Sequence, residues 1–239
     1  MRFLTTMSAS AFVFAWACLG LAPSAAQQDM DAVKADAGHH KVEFENSQVR
    51  VVRWLIPPGE KTTNHSHPNN VNVFLTDANV KITTPDGKTT ELHGKAGAVA
   101  WRAPTTHVVE NISDKPAEGI MIEPKNPASA LPAGAQDEIV ADPKHTKVEF
   151  ENEQVRVTRY RFEPGYKSPM HGHSDNVQVM LTDAKANVTT PDGKTAPVAG
   201  KAGEVRWRPA GQHVVENTGQ QAFEGILVQM KGAAAAPAK

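Results

Sequence analysis

The sequence predicts an all-β protein made of two tandem barrel domains, and three observations carry that expectation. Residues 39–125 align without a gap on residues 145–231, so one unit occurs twice. Within each unit, short runs rich in Val, Ile, Thr and aromatic residues are punctuated by Gly, Pro, Asp and Asn. Outside residues 1–26 no segment sustains a helical period.

Taken in chain order, the first element is a targeting segment. Arg2 gives a positive start, an apolar stretch surrounds Phe12, Phe14 and Trp16, and Pro23-Ser24-Ala25-Ala26 offers the small residues that a signal peptidase reads. The layout predicts a signal peptide over 1–26, cleaved after Ala26, and a periplasmic or secreted mature protein. As a membrane anchor the apolar run is short, and no stop-transfer charges follow it. The single cysteine, Cys18, lies inside this segment. The mature chain would then have no thiol, leaving nitrogen and oxygen as the ligands for any metal.

The first unit, 39–125, opens the folded part. Residues 49–56 are rich in Val and Trp and read as a strand that ends at the turn Pro57-Pro58-Gly59. Residues 71–75 form another apolar strand. Residues 80–84 and 89–92 flank Pro85-Asp86-Gly87-Lys88, and an Asp-Gly turn between such runs predicts a hairpin. Strands at 98–102, 107–111 and 119–123 complete the unit. Some seven short strands with regular turn signals mean a small sandwich or barrel. Residues 126–144, rich in Pro, Ala and Asp, read as a linker. The second unit follows at 145–231, and the Ala/Pro-rich 232–239 reads as a disordered tail.

Basic and acidic residues balance, 25 against 26, for a net charge of -1. Nothing in that balance predicts a nucleic-acid partner, or a membrane partner once the signal is removed. A small-molecule ligand or substrate is the expected partner, with pairing into a homodimer left open.

The histidines carry the chemistry. His65 and His67 stand two apart, as do His171 and His173, and positions i and i+2 of an extended chain share a face. His107 and His213 follow at matching positions on a later strand. Three imidazoles from two elements suit one divalent metal ion, with Zn, Fe, Cu, Ni and Mn all open to neutral imidazole. An isolated His-x-His on an exposed strand usually means nothing, so the surrounding residues decide. His93 faces Ala199 in the other unit and reads as surface.

Those surrounding residues resemble the cupin superfamily over both units. Its first motif, Gly, five residues, then His-x-His, is met by Gly59 with His65-Ser66-His67 and by Gly165 with His171-Gly172-His173. Its second motif is met by Gly203, Pro209-Ala210-Gly211, His213 and Asn217. The first unit keeps Gly97, His107 and Asn111 but has Ala103-Pro104-Thr105 in place of Pro-x-Gly. The resemblance implies a bicupin, two tandem jelly-roll barrels with a metal inside each. It also implies a metal-dependent oxidoreductase of dioxygenase type acting on a small organic substrate. A non-catalytic binding protein for a metal or small molecule is the other reading.

The family's Glu ligand is absent from both units. The register aligned on the downstream turn puts Val71 and Val177 in its place, with Val71, Val73 and Leu75 facing the barrel interior and Asn72 pointing away. The expected site is therefore a neutral three-His centre, with Asn72 and Gln178 as alternative oxygen ligands. Trp101 and Trp207 read as core or pocket mouth. Arg102 and Arg208 read as solvated charges or as clamps for a substrate carboxylate. Glu110 and Glu216 read as surface charges. The second unit keeps more of the motifs and is expected to be the more active.

Overall fold

A computed structural model describes residues 30–125 and 129–231. The expected signal peptide with Cys18, the residues 126–128 of the expected linker and the tail 232–239 lie outside the described residues. No helix among those described is long and apolar enough to cross a membrane.

Each unit contains one four-residue helix and nine strands. The first has α1 (Ala32–Ala35), β1 (His40–Glu45), β2 (Val49–Ile56), β3 (His65–His67), β4 (Asn70–Phe74), β5 (Ala78–Thr83), β6 (Thr89–Gly94), β7 (Val99–Arg102), β8 (Thr105–Asn111) and β9 (Ala117–Pro124). The second repeats the order with α2 (Glu138–Ala141), β10 (Thr146–Glu151), β11 (Val155–Phe162), β12 (His171–His173), β13 (Asn176–Met180), β14 (Ala184–Thr189), β15 (Thr195–Gly200), β16 (Val205–Arg208), β17 (Gly211–Asn217) and β18 (Phe223–Met230). A five-stranded sheet, β1-β2-β9-β4-β7, faces a four-stranded one, β3-β8-β5-β6, and the second unit has the same pair of sheets. The predicted Asp-Gly hairpin is β5–β6, paired from Ala78 with Gly94 to Thr83 with Thr89. Gly87 takes φ 83° at its tip, a conformation that costs glycine no steric strain.

Alternation along the strands divides the apolar residues between two cores. On β2, Val52, Trp54 and Ile56 point inward and pack with Phe74, Val80 and Met121 between the two sheets of the first unit. Tyr160, Phe162, Met180 and Leu227 do the same in the second. The opposite face of the same strands carries Val49, Val51, Val71, Val73, Ile120 and Ile122, which join Val155, Val157, Val177, Val179, Ile226 and Val228 in one cluster shared by both units. The two five-stranded sheets thus pack on each other. Reciprocal bonds close the joint: Arg53 Nη2 donates to Gly203 O at 2.6 Å and Arg159 Nη2 to Gly97 O at 2.5 Å.

This shared cluster corrects the register expected for β4. Val71 and Val73 face the other unit, and Asn72 points into the first unit's own interior, where its Oδ1 accepts from Trp54 Nε1 at 3.3 Å. Alignment on the downstream turn chose the wrong face, because a sheet covered on both faces is apolar on both and its polar minority marks the pocket side.

Candidate metal centres

Short strands position the histidines. β3 pairs antiparallel with β8 so that His65 lies opposite His107, and β12 pairs with β17 so that His171 lies opposite His213. Two residues further along, His67 and His173 project from the same face as His65 and His171. The structure therefore brings together all six histidines singled out in the sequence, as two triads. Within each triad one ring nitrogen per residue lies within 4.8 Å of the others.

The ring orientations suit metal ligation. His65 Nδ1 lies 2.8 Å from Thr63 O and His171 Nδ1 lies 2.9 Å from Pro169 O. A carbonyl only accepts, so each Nδ1 carries the proton and each Nε2 keeps a free lone pair. His65 Nε2 is buried without a partner, an arrangement that is costly unless something else satisfies it. His67 Nε2 and His107 Nε2 converge to 3.0 Å. Burial, reinforced by neighbouring imidazoles, pushes His67 down to about 2, His107 to about 4 and His213 to about 3. His65 and His171 are also lowered, with burial the leading cause. Buried imidazoles whose ring nitrogens converge, with His65 Nε2 left unpartnered, suit a divalent ion, so the donor sets fit one.

The interiors around the triads differ. In the second unit a cavity of about 740 Å³ is lined by His171, His173, His213, Tyr160, Gln178 and Arg208 among others. Gln178, like Asn72, faces inward: its Nε2 donates to Tyr160 Oη at 2.8 Å, and its Oε1 accepts from Arg208 Nε at 3.4 Å. No carboxylate among the described residues pairs with Arg208. In the first unit the larger Trp54 and Phe74 meet edge to face across the interior, their ring centres 5.6 Å apart.

Other residues fall on the plainer of their two readings. Trp101 and Trp207 pack against the shared cluster, on the strand face opposite the pocket. Glu110 pairs with Lys81 at 2.8 Å and Glu216 with Lys167 at 3.7 Å, as surface charges do. His93 is exposed on β6. Asn111 and Asn217 are pins: Asn217 Nδ2 donates to Phe162 O and Gln221 O at 2.9 and 3.0 Å.

Two features escaped sequence reasoning. His40 is buried with its ring 4.7 Å from that of His65, and burial together with His65 pushes it down to about 4. The second unit has Thr146 at that position, so comparing the units gave no signal. Glu138, inside the stretch read as linker, is 1% exposed and places Oε2 3.3 Å from His173 Nδ1. Burial opposes its ionisation, yet His173 and Arg156 outweigh that and hold its carboxyl below the ordinary value.

Paired sheets folded around interior histidine triads, twice in one chain, define a two-domain all-β protein with two candidate metal sites. No family model matches the chain. A curated protein, the beta-alanine degradation protein BauB of Pseudomonas aeruginosa, is 39% identical over 85 residues, covering 34% of this chain and 85% of BauB. AerE from Microcystis aeruginosa superposes with a TM-score of 0.54 at 16% identity, over 81% of this chain and 97% of AerE. Oxalate decarboxylase from Bacillus subtilis gives 0.54 at 14% identity, over 79% and 69%. A cupin 2 conserved barrel domain protein from Leptotrichia buccalis gives 0.51 at 12% identity, over 80% and 88%. The chain belongs to the cupin superfamily, as a tandem two-domain member.

Proposed function

We propose that this protein is an exported bicupin that binds a divalent ion, Fe, Mn or Zn, through His65, His67 and His107 in the first repeat and His171, His173 and His213 in the second. The second repeat is then a metal-dependent, dioxygenase-like oxidoreductase acting on a small carboxylate. The observation that carries this reading is the convergence of three imidazoles, one ring nitrogen each within 4.8 Å of the others, at the wall of a cavity that also presents Arg208. A bound ion would supply Lewis-acid chemistry, polarising an oxygen-rich ligand beside the triad. Arg208, which pairs with no carboxylate among the described residues, would hold a substrate carboxylate by charge-assisted hydrogen bonds. Gln178 and Tyr160 orient that guanidinium and the substrate beside it. The name of BauB points to the same chemical class, since beta-alanine is a small carboxylate. Export rests on the pattern of residues 1–26.

The test is metal analysis of the untagged mature chain, followed by oxygen uptake with Fe(II) and small carboxylates. One ion per triad is expected, and His171→Ala should cost more activity than His65→Ala. A folded chain that takes up no divalent ion at micromolar concentration would overturn the metal reading. The second reading, a binding protein without catalysis, is favoured for the first repeat by the Trp54–Phe74 pair that occupies its interior. Bound metal with no turnover on any small carboxylate would extend it to the whole chain.

A further inference from the structure

Both repeats bury a carboxylate beside the inward arginine of their second strand, yet they place it on different elements. In the second repeat it is Glu138, at the start of α2. Arg156 Nη2 lies 3.2 Å from each of its oxygens, and Gln229 Nε2 on β18 donates to Oε1 at 2.5 Å. In the first repeat the position matching Glu138 is Ala32, and the position matching Gln229 is Glu123, which is 2% exposed and accepts from Arg50 Nε at 2.5 Å. The pair Ala32/Glu123 has become Glu138/Gln229. One buried negative charge is conserved, and its address has changed.

Balancing the arginine does not require the move, because either address does that. Each arginine also has an aspartate in the same place: Asp31 Oδ2 accepts from Arg50 at 2.5 Å and Asp137 Oδ2 from Arg156 at 2.6 Å. What changes is the environment of a metal ligand. Glu138 Oε2 stands 3.3 Å from His173 Nδ1, short of an aligned hydrogen bond and within reach of one by a small ring rotation. The counterpart atom, His67 Nδ1, is buried with no partner, and no described carboxylate reaches it. A carboxylate on the far nitrogen of a ligating imidazole fixes the Nδ1–H tautomer and raises the basicity of Nε2. It also sets a negative charge next to a centre whose three ligands are neutral.

We propose that Glu138 is a positioning residue for the second metal centre, and that its absence from the first repeat makes the two triads unequal, with the second holding a divalent ion more tightly. The inference rests on the metal-binding reading above and deepens it, by naming what sets the two affinities apart.

The test is a titration of the full mature chain with Zn(II) against a competing chelator. Two classes of site are expected, the tighter one lost in His171→Ala. The paired exchange Glu138→Ala with Gln229→Glu gives the second repeat the buried arrangement that the first already accommodates. It should weaken the tight class about 10–100-fold, the usual cost of losing such a partner. The reciprocal exchange, Ala32→Glu with Glu123→Gln, should tighten the weak class. Imidazole 15N shifts of the metal-free chain give a readout that a merely structural role would not move: His173 should change from a fixed Nδ1–H tautomer to a mixture in the first exchange. Two ions bound with affinities that neither exchange alters would overturn this proposal and leave the metal reading standing. A folded chain that binds no Zn(II) would overturn both.

Discussion

At the scale of single residues, burial suppresses the charge of most of the clustered histidines, and backbone carbonyls fix the tautomers of His65 and His171. His40 and His107 are held near 4, His213 near 3 and His67 near 2, all with burial as the leading cause. Below pH 6.5 these histidines take up protons in the unfolded chain and not in the folded one, so stability falls as pH drops from about 6.5 toward 4 and levels off above 7. His39, raised despite burial by Asp36 and Glu60, opposes this with a single proton. Urea unfolding of the metal-free chain should therefore give a lower free energy at pH 5 than at pH 7, and equal values would contradict a cluster of buried neutral imidazoles. A second prediction concerns the family asparagine. Asn217→Ala leaves the buried Phe162 O and the partly exposed Gln221 O without their shared donor, at a cost of about 1–3 kcal/mol for the buried group, and should lower the urea midpoint without changing the histidine triads. The six triad histidines were legible because spacing and repetition both mark them. Glu138 and His40 were not, since each belongs to one repeat only and reaches its triad through tertiary contact.

Among the elements, seven of the nine strands in each unit were readable from composition, whereas β1, β3 and the strand faces were not. The run at 49–56 is β2 with the same limits, and the Asp-Gly hairpin is where its turn chemistry requires it. The β4 register failed for a physical reason: Val71, Asn72, Val73 alternates cleanly, but alternation alone does not say which face meets the pocket when the second repeat covers the other. The corrected register makes a paired prediction on β13. Gln178→Glu adds a carboxylate to the cavity wall beside the triad, so the chain should fold and bind divalent ions more tightly. Val177→Glu puts the same group into the shared apolar cluster, where an unpaired buried charge costs several kcal/mol. Circular dichroism and metal titration of the two variants separate the registers. A soluble, folded Val177→Glu chain together with a collapsed Gln178→Glu chain would reverse the assignment.

For the whole molecule, the duplication determines how the repeats are used. Their five-stranded sheets meet through Val, Ile and Met side chains almost wholly shielded from solvent, and the arginine bonds to Gly97 O and Gly203 O repeat the same contact in both directions. Such a near-symmetric joint has the character of a homodimer interface built within one chain. The repeat was legible in the sequence, whereas the joint was not, because its residues look like ordinary core until both faces of the sheet are counted. Cutting the chain in the 126–144 segment should expose this surface. A fragment of residues 129–231 would present Val155, Val157, Val177, Val179, Ile226 and Val228 to water, a contiguous apolar face of the kind that soluble monomers avoid. It should form a dimer through that face, with a second copy standing where the first repeat stood. Its stability should then depend on concentration. The intact chain, held by one cluster common to both repeats, should unfold in a single transition. Light scattering and denaturation across a range of fragment concentrations test this. A monodisperse monomeric fragment as stable as the full chain would mean that the shared cluster contributes little and that the repeats fold as independent units.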